Sequence, residues 1–199
     1  MELHSGDLTA GLAPARTGSG PLLQRDYWAR IHDARLRPSE VMEQVRRHFE
    51  AFAPAELAAF HASNARGLQL GDDLEIEIAG AGQCEVRVVH LDAQSLTLGT
   101  LEGHPEAGRI TFGAYRDEGG ALVFHIRSRA RSDSLLRLLG FVLAGEAMQT
   151  NTWTQFISRV AALAGGRIDG FVEARTETLE DTDGEEDVLD EPTFLARGD

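Results

Sequence analysis

Apolar and polar residues alternate through the middle of the chain, which is the pattern of a half-buried β-strand. The alternation begins at Leu74 and continues, with interruptions, to Ser128. Short segments rich in glycine and aspartate separate the runs and are typical of turns. These connections are too short for the crossovers that parallel neighbours need, so the pattern predicts a five-stranded antiparallel meander. The predicted strands cover 74–78, 85–88, 95–101, 109–116 and 121–128.

In two other parts of the chain, apolar residues recur at steps of three and four, as on one face of a helix. The longer part covers about 133–164, contains no proline and is followed by Gly165-Gly166. It predicts a helix of roughly 45 Å. The shorter part predicts a helix that is capped by Ser39 and ends before Pro54. A further short helix is expected at about 55–62.

The two patterns together predict an α+β fold of the helix-grip type, in which a curved antiparallel sheet wraps around a long C-terminal helix. The meander needs a cover over its apolar face, and the long helix follows it directly. We expect a single domain over residues 22–172, in accordance with the length of 199 residues. Residues 1–21 and the acidic tail 173–199 are expected to be disordered.

Negative charge is concentrated in the last part of the chain. The net charge of the whole chain is -13, and residues 176–199 hold ten acidic residues against Arg197. The remaining body is only mildly acidic and has no basic face for phosphate groups, so the sequence predicts no nucleic acid partner. The longest mostly apolar stretch is too short for a membrane span, and residues 1–20 resemble no signal peptide. We therefore expect a cytoplasmic protein.

The residue types that are rare or absent exclude several kinds of chemistry. All 19 basic residues are arginine, and Cys84 is the only cysteine. Without lysine, neither a Walker A phosphate loop nor a Schiff base with pyridoxal phosphate can form. A single cysteine cannot form an intrachain disulfide or a cysteine-based zinc site. The histidines show no ligand spacing, and the sequence predicts no cofactor and no metal.

The segment Gly99–Gly108, the His104 loop, joins the third and fourth predicted strands and contains three glycines, one proline, two acids and one histidine. One interpretation is a tight structural loop, whose glycines adopt positive φ and whose polar side chains cap backbone groups. The other interpretation is functional. In it, His104 is flanked by Glu102 and Glu106 and stands at the mouth of a cavity as an acid–base or hydrogen-bonding group.

Polar residues also interrupt the apolar pattern of the long helix. The side chain of Gln149 is long and polar, so we expect it to lie near the His104 loop, as the polar end of a cavity or as a latch between helix and loop. Tyr115 and His125 alternate out of phase with the apolar residues and are expected to face solvent. The candidate ligand-binding residues are Gly103, His104, Phe112, Phe124, Glu146, Met148 and Gln149.

The loop and several later positions resemble the signature of a known protein family. They are Gly99-Thr100-Leu101-Glu102-Gly103-His104-Pro105-Glu106-Ala107-Gly108, Phe112, Ile126-x-Ser128-Arg129 and Gln149. The chain from about Tyr27 to Ile157 is similar to domain-of-unknown-function family nineteen-ninety, also catalogued as uncharacterised protein family five-four-eight. It departs from the family pattern at Leu98, where a tyrosine is usual, and at Arg109-Ile110, where two glutamates are usual. The resemblance implies a fold similar to START domains and birch-pollen allergens, and it implies no activity.

Three functions are compatible with these observations. The first is binding of a small, largely apolar molecule between helix and sheet, by analogy with the fold. The second is a hydrolase- or cyclase-like reaction that uses His104 with Glu102 or Glu106. The third is a protein-interaction module that acts through the acidic tail.

Overall fold

The computed structural model describes residues 8–62, 66–79, 82–132 and 135–180, and at 62 and 135–148 it describes the backbone alone. The α-helices are α1 (Pro38–Arg47), α2 (Phe49–Phe52) and α3 (Leu135–Leu163). The strands are β1 (Ser19–His32), β2 (Ala58–Ala62), β3 (Asp73–Ile78), β4 (Gly82–Leu91), β5 (Ser95–Thr100), β6 (Glu106–Arg116), β7 (Leu122–Ser132), β8 (Arg167–Ile168) and β9 (Glu173–Leu179).

The strands of the described residues form one curved antiparallel sheet in the order β2-β3-β4-β5-β6-β7-β1-β8, and β9 also pairs with β1. Strands β3 to β7 are neighbours both along the chain and in the sheet, so the predicted meander is confirmed. The 14-residue strand β1 lies beside β7 and extends the meander. The chain is therefore an α+β protein with a large antiparallel sheet and a long C-terminal helix, as the sequence predicts.

Aromatic side chains fill the interior between the sheet and the helices. Phe156 of α3 is fully buried, and its ring centre lies 5.3 Å from that of Phe112 on β6 and 6.0 Å from that of Phe124 on β7. The ring of Phe49 in α2 lies 5.1 Å from Phe112 and 5.4 Å from Phe156. Burial of such a side chain contributes about 1.5–3 kcal/mol relative to exposure. These rings form a closed aromatic core that fixes α3 on the sheet.

Helix α3 ends where the sequence pattern predicts. Gly165 adopts a φ of +70°, a left-handed conformation that glycine reaches without a steric penalty. The N–H groups of Gly165 and Gly166 donate to the carbonyl oxygens of Ala162 and Ala161, so the last turn keeps its hydrogen bonds. The chain then turns into β8 and β9, which run along β1.

The expected helix at 55–62 is wrong, because the segment contains the edge strand β2. Pairing with β2 satisfies the backbone N–H and C=O groups along the edge of β3, and it buries Phe60 on the inner face of the sheet. This tertiary gain outweighs the helix propensity of the segment, which is high because four of its eight residues are alanine. Ser39 is also not the helix cap. The cap position of α1 is Arg37, whose backbone N–H donates to the Glu40 carboxylate at 2.7 Å.

Regular structure extends beyond the predicted domain limits at both ends. β1 begins at Ser19, and the backbone of residues 12–13 pairs with that of residues 100–101. β9 occupies Glu173–Leu179, where disorder was expected, and pairs with β1 along its whole length. Disorder is therefore the wrong prediction for these positions, since polar composition does not prevent backbone pairing at a sheet edge. The rest of the predicted acidic tail, 181–199, lies outside the described residues.

The expectation that His125 faces solvent is wrong, because it is buried on the outer side of the sheet. Its Nε2 lies 2.7 Å from Oδ1 of Asp26 on β1, and Nε of Arg127 donates to the same oxygen at 2.6 Å. Burial by itself would raise the pKa of Asp26, but the hydrogen bonds from His125 and Arg127 outweigh it and hold the pKa below its usual 3.8. Tyr115 is half-buried, and burial raises the pKa of its hydroxyl.

We expect Asp26→Asn to lower the free energy of unfolding by about 1–3 kcal/mol at pH 7, because Arg127 and His125 lose their charged acceptor. The folded-state pKa lies below 3.8, so this stabilisation is present above that value and is lost as the pH falls through the folded-state pKa. Urea unfolding from pH 7 to pH 3 should show the difference between variant and wild type shrinking at the acid end. Asp33→Asn, which removes an exposed partner of Arg167, is the control and should change little. A constant difference across the pH range would contradict this interpretation.

Candidate functional site

The His104 loop follows a defined path that is held by hydrogen bonds. Oγ1 of Thr100 accepts the N–H of Gly108 at 2.9 Å and lies 3.0 Å from the carbonyl oxygen of Ala13. The N–H of His104 donates to the carbonyl of Leu101 at 3.1 Å. Hydrogen bonds thus hold the loop together and join it to the N-terminal segment. This agrees with the interpretation of a tight structural loop, in which polar side chains cap backbone groups.

His104 and Glu106 lie at the same cavity, whereas Glu102 does not. Nδ1 of His104 is 3.0 Å from the backbone nitrogen and 2.9 Å from the backbone oxygen of Glu106. Glu102 is exposed, is not among the cavity-lining residues, and donates its backbone N–H to the carbonyl of Gly11. The predicted group of one histidine and two acids therefore reduces to His104 and Glu106.

The carboxylate of Glu106 joins three elements of the fold. Its Oε1 accepts a hydrogen bond from Nη1 of Arg25 on β1 at 3.1 Å, and its Oε2 accepts one from Nε2 of Gln149 on α3 at 3.0 Å. The side chains of Arg25 and Glu106 are only 9% and 13% exposed. Gln149 therefore contacts the His104 loop, as its length and polarity predict, and its partner there is a carboxylate.

A cavity lies between α3 and the sheet, beside this group of polar residues. It contains about 850 Å³ of space between atoms, including space that is open to solvent at its mouth. Apolar side chains form most of its described wall, and polar side chains gather where the His104 loop meets α3. An apolar wall with a few convergent polar groups is the usual form of a small-molecule site. The apolar wall includes Phe60, Ile76, Ile78, Val86, Leu98 and Ile110.

The structure separates the candidate ligand-binding residues into two places. His104 and Gln149 line the cavity. Phe112 and Phe124 are fully buried in the closed aromatic core and are not among the lining residues. Strand alternation places all inward residues on one face, and that face carries both the core and the cavity, so sequence alone could not separate them.

The other three candidates do not add to the described wall. Gly103 is exposed, and no atom lies within 4 Å of the position that a Cβ would take. Glu146 and Met148 belong to α3, but their side chains lie outside the described residues.

The residues of the site that are absent from the sequence-based candidates include the lining residues Ser128 and Trp153, and Arg25, which binds Glu106. Trp153 follows Gln149 by one helical turn, and this spacing could have indicated a shared face. Ser128 stands within the family signature, which is a weaker signal. Nothing in the local pattern marks Arg25, because only the pairing of β1 with β7 brings it to the cavity end.

In the described parts of the chain, no group of three or more histidine, cysteine, aspartate or glutamate side chains is placed to hold a metal ion. None of the helices in the same ranges is long and apolar enough to cross a bilayer. Cys84 is buried in β4.

Several solved structures share the fold at very low sequence identity. The KanY protein has a TM-score of 0.55 and 8% identity, covering 74% of this chain and 100% of its own. Truncated norcoclaurine synthase from Thalictrum flavum has a TM-score of 0.52 and 8% identity, with coverages of 73% and 96%. The di-domain ARO/CYC StfQ of the steffimycin biosynthetic pathway has a TM-score of 0.52 and 9% identity, with coverages of 76% and 52%. This likeness concerns the fold alone, which is a large curved antiparallel sheet with a long C-terminal helix.

The sequence itself assigns the chain to a family. The family described as Domain of unknown function (DUF1990) matches residues 24–159, which is more than half of the chain. The protein belongs to this family, as the signature of the His104 loop implies. Among curated proteins, none matches the sequence.

Proposed function

We propose that this protein binds a small, largely apolar molecule in the cavity between α3 and the sheet, and that the sheet wraps around α3 as in the helix-grip proteins. The observation that supports the proposal is the cavity itself, whose walls are apolar and whose polar groups gather at one end. Apolar contacts supply most of the affinity in such a site. The polar end, with Glu106 and Gln149, orients the bound molecule.

Binding accounts for this arrangement better than catalysis by His104. The Glu106 carboxylate already accepts hydrogen bonds from Arg25 and Gln149, so it is held by a cation and an amide rather than presented to a substrate as a base. Glu102, the other acid of the loop, is exposed and does not line the cavity. Turnover of a substrate that is lost in His104→Ala would support the catalytic alternative instead.

We expect the wild-type protein to bind N-phenyl-1-naphthylamine, a neutral apolar fluorophore, saturably and with one molecule per chain. Ala58 lies on the cavity wall in β2, so Ala58→Trp should abolish binding by filling the space. Ala59 is the next residue of the same strand and is not among the lining residues, because its side chain points to the other face. Ala59→Trp is therefore the matched control and should bind like the wild type.

Fluorescence titration measures binding, and thermal melting of each variant shows that it is folded. Absence of binding by the wild type would refute the proposal. Equal binding by folded Ala58→Trp and Ala59→Trp would also refute it, because the fluorophore would then occupy another place.

A further inference from the structure

Three buried polar atoms of cavity-lining residues have no hydrogen-bond partner in the part of the chain that the structure describes. They are Oγ of Ser128, Oε1 of Gln149 and Nε1 of Trp153. Nε of Arg25 also has no partner there, but Arg25 does not line the cavity. Ser128 is 5% exposed and Trp153 is 9% exposed, so bulk solvent does not reach them freely. A buried polar atom without a partner is unfavourable, because it has given up its hydrogen bonds to water without replacing them. Three of them in one cavity indicate an occupant with polar atoms of its own.

These three residues lie at the same end of the cavity. Gln149 and Trp153 are four residues apart on α3, so their side chains lie on one face, one turn apart. Ser128 on β7 stands directly opposite Arg25 on β1, and Arg25 donates to Glu106, which also accepts from Gln149. Residues directly opposite on antiparallel strands have Cβ atoms about 4.5–5.5 Å apart. The unpartnered atoms therefore surround the polar end described above.

The chemistry of the three atoms specifies what would satisfy them. The indole N–H of Trp153 only donates, so it needs an acceptor. The other amide atom of Gln149 is committed as the donor to Glu106, which leaves Oε1 as an acceptor that needs a hydrogen. The hydroxyl of Ser128 can donate or accept. A single hydroxyl group offers two lone pairs and one hydrogen, which matches this set.

The ion pair of Arg25 and Glu106 favours a neutral group at this end. The guanidinium of Arg25 already pairs with Glu106 at 3.1 Å, and both side chains are mostly buried. A carboxylate in the ligand would bring a second negative charge near Glu106 and would offer no hydrogen to Gln149. Like charges in a poorly solvated site repel strongly.

We propose that the ligand of this cavity carries a neutral hydroxyl, phenolic or alcoholic, on an apolar body, and that Trp153 and Ser128 donate to it while it donates to Gln149. This inference rests on the proposed binding function and names the ligand class. Trp153, Ser128 and Gln149 then set specificity, and the apolar wall sets the size of the body.

The test compares naphthalene with derivatives that differ only at one position, each measured by displacement of N-phenyl-1-naphthylamine. 2-Naphthol should bind about tenfold more tightly than naphthalene, as expected when buried polar atoms gain partners. 2-Methoxynaphthalene keeps the acceptor oxygen without the hydrogen and should bind several-fold more weakly than 2-naphthol. 2-Naphthoate, which is anionic, should also bind more weakly than 2-naphthol.

Protein variants assign the preference to the named atoms. Trp153→Phe keeps an aromatic ring against Phe112 and Phe156 but lacks the N–H, so the tenfold preference for 2-naphthol should fall to about twofold. Ser128→Ala should also reduce the preference for 2-naphthol. Because this substitution removes a single oxygen atom, the variant is expected to fold even if Trp153→Phe does not. Ser158→Ala removes an exposed hydroxyl on the same helix and should leave the preference unchanged.

The two proposals fail in different ways. If the fluorophore binds but naphthalene and 2-naphthol displace it equally, or if 2-methoxynaphthalene or 2-naphthoate binds as tightly as 2-naphthol, the hydroxyl inference is overturned and the binding function stands. A preference that persists in both Trp153→Phe and Ser128→Ala also overturns the inference. If neither the fluorophore nor any naphthalene derivative binds, the proposed function itself fails.

Discussion

Phe156→Ala should lower the free energy of unfolding by about 3–5 kcal/mol, the usual cost of truncating a buried aromatic side chain. Phe156 is fully buried, and its ring centre lies 5.4 Å from Phe49, 5.3 Å from Phe112, 6.0 Å from Phe124 and 6.1 Å from Trp153. Alanine would lose this packing and leave a cavity where α2, α3 and the sheet meet. Because the neighbouring rings belong to different elements, they cannot close together around the gap without moving α3.

Urea unfolding of Phe156→Ala and Phe171→Ala measures this effect against a matched control. Phe171 is 78% exposed, so its truncation removes the same atoms without opening a buried space. We expect Phe171→Ala to change stability little. A similar loss in the two variants would mean that Phe156 does not anchor α3.

Gly108→Ala should destabilise the protein by about 3 kcal/mol or more, because the added methyl group has no room. Gly108 has a φ of +153°, and a Cβ there would lie 2.1 Å from the carbonyl oxygen of Arg129 and 2.7 Å from Cα of Ala130. Both are backbone atoms of β7, which is paired on both sides in the sheet. Relief of the clash would also disturb the bond between the Gly108 N–H and Thr100 that holds the His104 loop.

Gly103→Ala is the control for this second effect, since it lies in the same loop. Gly103 has a φ of +93° with no atom within 4 Å of a Cβ, so alanine there meets backbone strain without a clash. We expect a loss of about 1 kcal/mol. Urea unfolding should give Gly108→Ala a clearly lower free energy of unfolding than Gly103→Ala. Equal stabilities of the two variants would show that the backbone of β7 shifts to make room for a methyl group at residue 108.

The elements that the sequence predicts correctly are those whose signal is local. The alternation from Leu74 and the helical spacing up to Leu163 are repeated over several residues, and short turns leave the strands of the meander no other partners. The end of α3 at Gly165 follows from a single residue type that tolerates positive φ. Such features depend on near neighbours in the chain.

The elements that the sequence prediction misses depend on distant partners. β2 becomes a strand because β3 offers an open edge, and β9 forms on the outer edge of β1 despite its acidic composition. β1 pairs with β7 across about a hundred residues, and this pairing buries Asp26 beside His125 and brings Arg25 towards Glu106. The local β-propensity of a segment is too weak to predict which distant strand it pairs with.

For the site, the sequence by itself determined the unusual His104 loop, the positive φ of Gly103 and Gly108, and the contact of Gln149 with that loop, because residue type and side-chain length carry this information. Gly99 lies within β5 and does not have a positive φ. Only the tertiary structure decided that Phe112 belongs to the closed core while Ser128 and Trp153 face the cavity. Alternation along a strand assigns a side chain to a face, but whether that face is filled or open depends on what packs above it. Phe156 fills one part of the face, and the cavity occupies the other.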